Sequence, residues 1–170
     1  MDMRPIIHTY RKPLISVAFR MLGNMEEAKD TVQDTFIRFW MHKSDVAGEP
    51  FSWLCRVLMN LCIDRLRRRK ITKLFSIEGY QTAIRARSED DPQRTLENSQ
   101  LVHCVEKTAE RLKPVQKAVF LLRDVEGYTI KEISEMTGYT ENNIRVNLHL
   151  ARKNMRKWLQ PLLREGLGQS

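Results

Sequence analysis

Apolar residues recur along this chain in steps of three and four, with no alternating runs of β-branched residues, so the pattern predicts helices throughout. Ile6, Tyr10, Leu14, Val17 and Met21 mark a first helix, stopped by Gly23-Asn24. Ala28, Val32, Phe36 and Phe39 give the buried stripe of a second helix over 25–42, and a polar loop with Gly48 and Pro50 follows. Leu54, Val57, Leu58 and Leu61 share one face of a third helix over 51–70. From about Ile71 to Asn98 the period dissolves around an acidic cluster, Glu89-Asp90-Asp91, followed by Pro92. That composition predicts a linker with room for short helical turns. Beyond it, Leu101, Val105, Ala109 and Leu112 form one stripe. Pro114 suits the first turn of the next helix, where Val115, Val119 and Leu122 continue until Glu126-Gly127. The prediction is all-α: two small helical domains, 1–70 and 99–165, joined by a flexible linker over 71–98.

The most specific local signal is the stretch YTIKEISEMTGYTENNIRVNLHLARKNM. Thr129 and Glu132 have capping-box spacing, with Thr129 as N-cap of a short helix. Gly138 falls where the turn of a helix-turn-helix needs a left-handed residue. Thr140 can cap the second helix, whose buried stripe is Ile144, Leu148, Ala151 and Met155, and small Ser134 suits a close helix crossing. The opposite face carries Asn142, Val146, His149, Leu150 and Lys153, with Asn143, Arg145 and Arg152 beside them. Amides and arginines on a presented helix read base edges in the major groove and hold phosphates. The alternative is an ordinary helical hairpin with a solvated basic face.

Two further faces carry more than a core demands. Trp53 lies away from the apolar stripe of the third helix, in line with Arg56, Asn60, Asp64 and Arg67. The helix ends in Arg65, Arg67, Arg68, Arg69 and Lys70. A ring beside an amide, leading into a basic tail, suits a flat polar ligand with a charged backbone. An aromatic ring stacks on an unpaired base for about 1–3 kcal/mol, and the cations neutralise phosphates. Packing of Trp53 against the preceding loop is the competing role. On the second helix, Ile37 and Met41 share the face opposite the core stripe with Asp30 and Asp34, with Gln33 alongside. Apolar anchors in a charged frame suit a protein partner, although single exposed apolar residues are common.

Composition narrows the partners. The formal net charge of +8 favours polyanions, nucleic acid first and an anionic membrane surface second. No apolar run approaches the roughly 20 residues of a membrane span. The charged N-terminus with Pro13 does not read as a signal peptide. A cytoplasmic location is the expectation. Cys55, Cys62 and Cys104 form no CxxC pair, and the four histidines lie far apart, so neither disulfide framework nor metal site is expected. Cys55 and Cys62 border the apolar stripe as half-buried thiols, with a redox sensor as the alternative. No nucleophile–base pair, phosphate loop or carboxylate pair appears, so the expectation is a protein that is not an enzyme and needs no cofactor.

Three segments then stand together: AKDTVQDTFIRFW, FSWLCRVLMNLCIDRLRRRK, and the run from Leu112 to Leu159 that contains the helix-turn-helix. In this order they resemble the extracytoplasmic-function class of bacterial RNA polymerase sigma factors, over nearly the whole chain apart from the linker and the last few residues. The resemblance implies binding to core RNA polymerase, through the β′ clamp helices and the β flap, and to promoter DNA. It implies polymerase contacts at Asp30, Gln33, Asp34, Ile37 and Met41. Minus-ten recognition and melting would fall to Trp53, Arg56, Asn60, Arg65, Arg67, Arg68, Arg69 and Lys70, with Asn60 at a position implicated in holding the unpaired strand. Minus-thirty-five recognition would fall to Asn142, Asn143, Arg145, Val146, His149, Leu150, Arg152 and Lys153. A cognate anti-sigma protein, often membrane-anchored, is implied as a regulator. Family recognition helices often carry arginines where this chain has Asn147 and Leu150, so the promoter sequence does not carry over. The alternative function is a free-standing helix-turn-helix transcriptional regulator.

Overall fold

The computed structural model describes residues 3–44, 46, 48–75 and 96–167. Seven α-helices appear among them: α1 (Met3–Leu22), α2 (Met25–His42), α3 (Pro50–Phe75), α4 (Leu96–Ala109), α5 (Pro114–Phe120), α6 (Ile130–Thr137) and α7 (Glu141–Leu167). No strand occurs among the described residues, and the chain is all-α. Asn24 caps α2 by accepting from the Glu27 N–H at 2.9 Å. The fully buried Thr31 and Thr35 lie in the same helix. Their hydroxyls donate to the Glu27 and Thr31 carbonyls, so neither polar group is stranded in the core.

Helix α3 is the centre of the molecule. It packs against α1 and α2 on one side and against α5 and α6 on the other. That double burial corrects the single stripe expected from its sequence. Leu54 and Leu58 are buried as anticipated, but Val57 and Leu61 are only half-buried. Cys55, Met59, Cys62, Ile63 and Leu66 complete the core instead. A stripe inferred for one packing face underestimates a helix that has two. The thiols of Cys55 and Cys62 are therefore fully buried rather than half-buried, and burial pushes both up to about 12.

Helix α3 also runs five residues past its expected end, and α4 starts at Leu96, so 71–75 and 96–98 are helical. The rest of the expected linker, 76–95, lies outside the described residues, as does the side chain of Leu101.

Helix α5 continues directly into a π-helical turn, Leu121–Val125, which the hydrophobic pattern does not signal. The Glu126 N–H donates to the Leu121 carbonyl at 2.9 Å, the i to i−5 bond of that turn, and the Tyr128 N–H closes its end on the Leu122 carbonyl at 3.0 Å. The wider turn carries one extra residue before the chain reverses at Gly127. The buried residues of both halves, from Leu14 to Met155, form one continuous apolar cluster.

Candidate nucleic-acid and polymerase interfaces

The helix-turn-helix is built as its sequence requires. Thr129 Oγ1 accepts from the Glu132 N–H at 3.2 Å, and the Thr129 N–H donates to Glu132 Oε2 at 2.7 Å, closing the capping box. Donation to Glu132 Oε2 from the Thr129 N–H and then from the Thr129 hydroxyl, also at 2.7 Å, holds the Glu132 carboxyl below its usual range. Gly138 has φ +77°, a left-handed turn that a Cβ would strain. Ser134 Oγ donates to the Tyr139 carbonyl at 2.6 Å, tying the end of α6 to the turn. Thr140 Oγ1 accepts from the Asn143 N–H at 3.2 Å at the start of α7.

Ile144, Leu148, Ala151 and Met155 are all buried, which fixes the rotation of α7. Asn142, Asn143, Arg145, Val146, His149, Leu150, Arg152 and Lys153 are consequently all exposed. Several already have partners. Arg145 pairs with Glu141 at 2.8 Å, and Asn147 Nδ2 donates to the carbonyl and Oδ1 of Asn143. Arg152 grips Asp124 with two bonds, Nε to Oδ2 at 2.9 Å and Nη2 to Oδ1 at 2.6 Å. Asp124 belongs to the π turn, so that turn aims a carboxylate at α7. His149, Lys153, Arg156, Lys157, Gln160 and Arg164 line a shallow basic groove along α7. The last four were not singled out in the sequence, although their steps of three and four continue the stripe from His149 and Lys153.

On α3, Arg56, Asn60, Asp64, Arg67, Arg68 and Lys70 are exposed. Trp53 is half-buried and packs edge-on to Phe39, with ring centroids 5.5 Å apart and planes at 67°; the His42 ring lies 6.3 Å away. The basic tail divides by partner. Arg65 Nη2 reaches Asp34 Oδ2 at 2.9 Å, and Arg69 donates to Glu27 and, at 2.7 Å, to the Leu22 carbonyl. Arg67 makes a looser pair with Asp64 at 3.5 Å. Lys70 Nζ donates to the Leu112 carbonyl at 2.8 Å, and Arg56 Nη2 to the Glu135 carbonyl at 3.2 Å, both in the C-terminal half.

On α2, Asp30 and Gln33 are exposed and Asp34 is half-buried by its pair with Arg65. Ile37 is 51% exposed, Met41 71% and Trp40 53%, a contiguous apolar patch at steps of three and four. The pattern had not singled out Trp40, because it sits next to Phe39 in a helix already supplied with a core stripe. Lys43 Nζ lies 3.5 Å from the centre of its ring.

Comparison with known proteins agrees with this geometry. Residues 6–71 match the family described as Sigma-70 region 2, and residues 103–155 match Sigma-70, region 4. The chain is 28% identical over 157 residues to the ECF RNA polymerase sigma factor SigE of Mycolicibacterium smegmatis, covering 91% of this chain and 60% of that protein. It is 25% identical over 165 residues to the ECF RNA polymerase sigma factor SigW of Bacillus subtilis, covering 92% and 88% respectively. Among solved structures it resembles the sigma factor RpoE of Bartonella quintana, crystallised in complex with the anti-sigma factor NepR. The TM-score is 0.68 at 17% identity, covering 94% of this chain and 97% of that one.

Proposed function

Because this chain belongs to the extracytoplasmic-function class of RNA polymerase sigma factors, we propose that it binds core polymerase, directs it to a subset of promoters and helps open them. The observation that carries this proposal is the pairing, in one chain, of a basic helix headed by Trp53 with a complete helix-turn-helix and a separate apolar patch on α2.

In this scheme Ile37, Met41 and neighbouring Trp40 anchor the β′ clamp helices, framed by Asp30, Gln33 and Asp34, while the C-terminal half meets the β flap. Asn60 donates and accepts against an unpaired base. Trp53, wedged against Phe39, presents its remaining face as a wall of that pocket. Arg56, Arg65, Arg67, Arg68, Arg69 and Lys70 supply cations for the phosphates. Helix α7 enters the major groove with Asn142, Asn143, Arg145, Val146, His149, Leu150, Arg152 and Lys153. Val146 and Leu150, both exposed, suit the methyl groups of thymine. A cognate anti-sigma protein is proposed as the regulator. No helix among the described residues is long and apolar enough to cross a membrane.

The test is reconstitution. Core polymerase plus this chain should start transcripts at a defined set of sites, read by sequencing their 5′ ends. Failure to initiate, with footprinting of duplex by the chain alone, would favour the free-standing regulator. Asn60→Ala should slow strand opening, followed by permanganate reactivity of thymines, more than it weakens duplex binding. Equal losses in both steps would remove Asn60 from strand capture.

A further inference from the structure

Helix α7 is turned so that its outermost line carries no arginine over its first two turns. With Ile144, Leu148, Ala151 and Met155 buried, the opposite direction falls on Asn142, Val146 and Lys153, flanked by His149 and Leu150. Arg145 and Arg152 lie about a quarter turn to the side. Each is also held there by a carboxylate, Arg145 by Glu141 at 2.8 Å and Arg152 by Asp124 through two bonds. Asn147 Nδ2 donates to Asn143 Oδ1 at 3.0 Å, so those two amides engage each other and Asn142 is the amide on the outer line. His149 and Lys153 line the basic groove with Arg156, Lys157 and Arg164, a cationic run that suits phosphates. Val146 is 51% exposed and Leu150 40%, although the same helix buries four apolar residues on its other side. One exposed aliphatic side chain is ordinary. Two of them one turn apart on the presented side of a helix-turn-helix form a surface.

Base chemistry says what such a surface reads. In the major groove guanine is recognised by arginine or lysine on O6 and N7, adenine by an amide on N6 and N7, and thymine by apolar contact with its C5-methyl group. We propose that the part of the minus-thirty-five element under the first two turns of α7 consists of A·T pairs and is read through thymine methyls: Val146 and Leu150 each cover one methyl, and Asn142 bonds an adenine. This specificity rests on the promoter-reading role given to α7 above and adds to it the base pairs that are read. Val146 and Leu150 are about 6 Å apart along the helix axis, so the two thymines lie about two base-pair steps apart. Arg145 and Arg152, at the sides, hold phosphates and carry no sequence information.

The experiment selects duplexes randomised over the minus-thirty-five element, using core polymerase reconstituted with the full-length chain and, in parallel, the chain alone. The selected thymines are then replaced one at a time by deoxyuridine, which lacks only the methyl group. The expected result is an A·T-rich core, with affinity lowered about threefold at two thymines about two steps apart. Val146→Ala and Leu150→Ala should each abolish the loss at one of those thymines. Both side chains are exposed and alanine favours helix, so circular dichroism should show full helix content in the variants. G·C pairs at the steps where Val146→Ala and Leu150→Ala act would overturn the A·T assignment. Deoxyuridine tolerated at every thymine would overturn methyl reading and point to groove shape instead. Methyl losses that persist in both variants would take the reading away from Val146 and Leu150. Core polymerase that leaves the chain unbound would remove the polymerase role, and the duplexes selected by the chain alone then decide the base preference by the same criteria. A chain that selects no duplex in either form would overturn both.

Discussion

Trp53 and the two buried cysteines illustrate how side chains on one helix come under different constraints. Trp53 is held edge-on by Phe39, so Trp53→Ala should cost about 2–3 kcal/mol in urea unfolding, whereas Trp53→Phe should keep most of the packing. Promoter opening should suffer in both if the indole face also walls the base pocket. Cys55 and Cys62 are inert packing groups in the fold, since a thiol pushed up to about 12 offers almost no thiolate near neutrality. Iodoacetamide at pH 7.5 (about one unit below the free thiol value) should label Cys104 and spare the other two; labelling of Cys62 at the rate of a free thiol would contradict its burial. The sign of the pH effect follows. The folded value lies above the unfolded one, so this contribution is complete below about pH 9 and is lost as pH rises toward about 12. Cys62→Ala should flatten the alkaline arm of the stability profile, read by thermal melts. What the sequence could not display is that these thiols, and Lys117, are buried: the surfaces that cover them come from elements far along the chain.

Among the elements, those with one packing face were the most legible. The stripes of α2 and α7 were readable in the sequence because each helix buries one side, and the capping box and Gly138 were readable because their chemistry is local. Helix α3 was misjudged because two layers cover it, and the π turn was invisible because one extra residue does not disturb a hydrophobic pattern read in steps of three and four. Thr129→Ala should cost about 1 kcal/mol of stability in the C-terminal half. Gly138→Ala should cost about 1–2 kcal/mol through its left-handed backbone. Both should weaken duplex binding at a promoter by displacing α7. For α2, Ile37→Asp should abolish association with core polymerase in co-purification while the melting temperature is preserved, because the residue is half exposed and outside the core. Trp40→Ala should weaken it further down the same patch. Unchanged association in both would take the docking face away from α2.

At the scale of the whole molecule, two sequence modules share one core and several polar bridges, among them Lys117 on the Met21 carbonyl and Arg20 against Glu126. Thermal unfolding of wild type should therefore be a single cooperative transition by calorimetry, and Arg20→Glu should separate it into two. The shared core also has a consequence for how the protein is made. Cys55 and Cys62 are buried in the core of α3, one flank of which packs against α5 and α6. That flank leaves the ribosome well before α5 and α6 exist to cover it. At about 5–20 residues per second the roughly 60 residues up to Thr137 take on the order of 3–12 s to synthesise. During that interval the nascent N-terminal half carries an uncovered greasy strip, a natural substrate for chaperones.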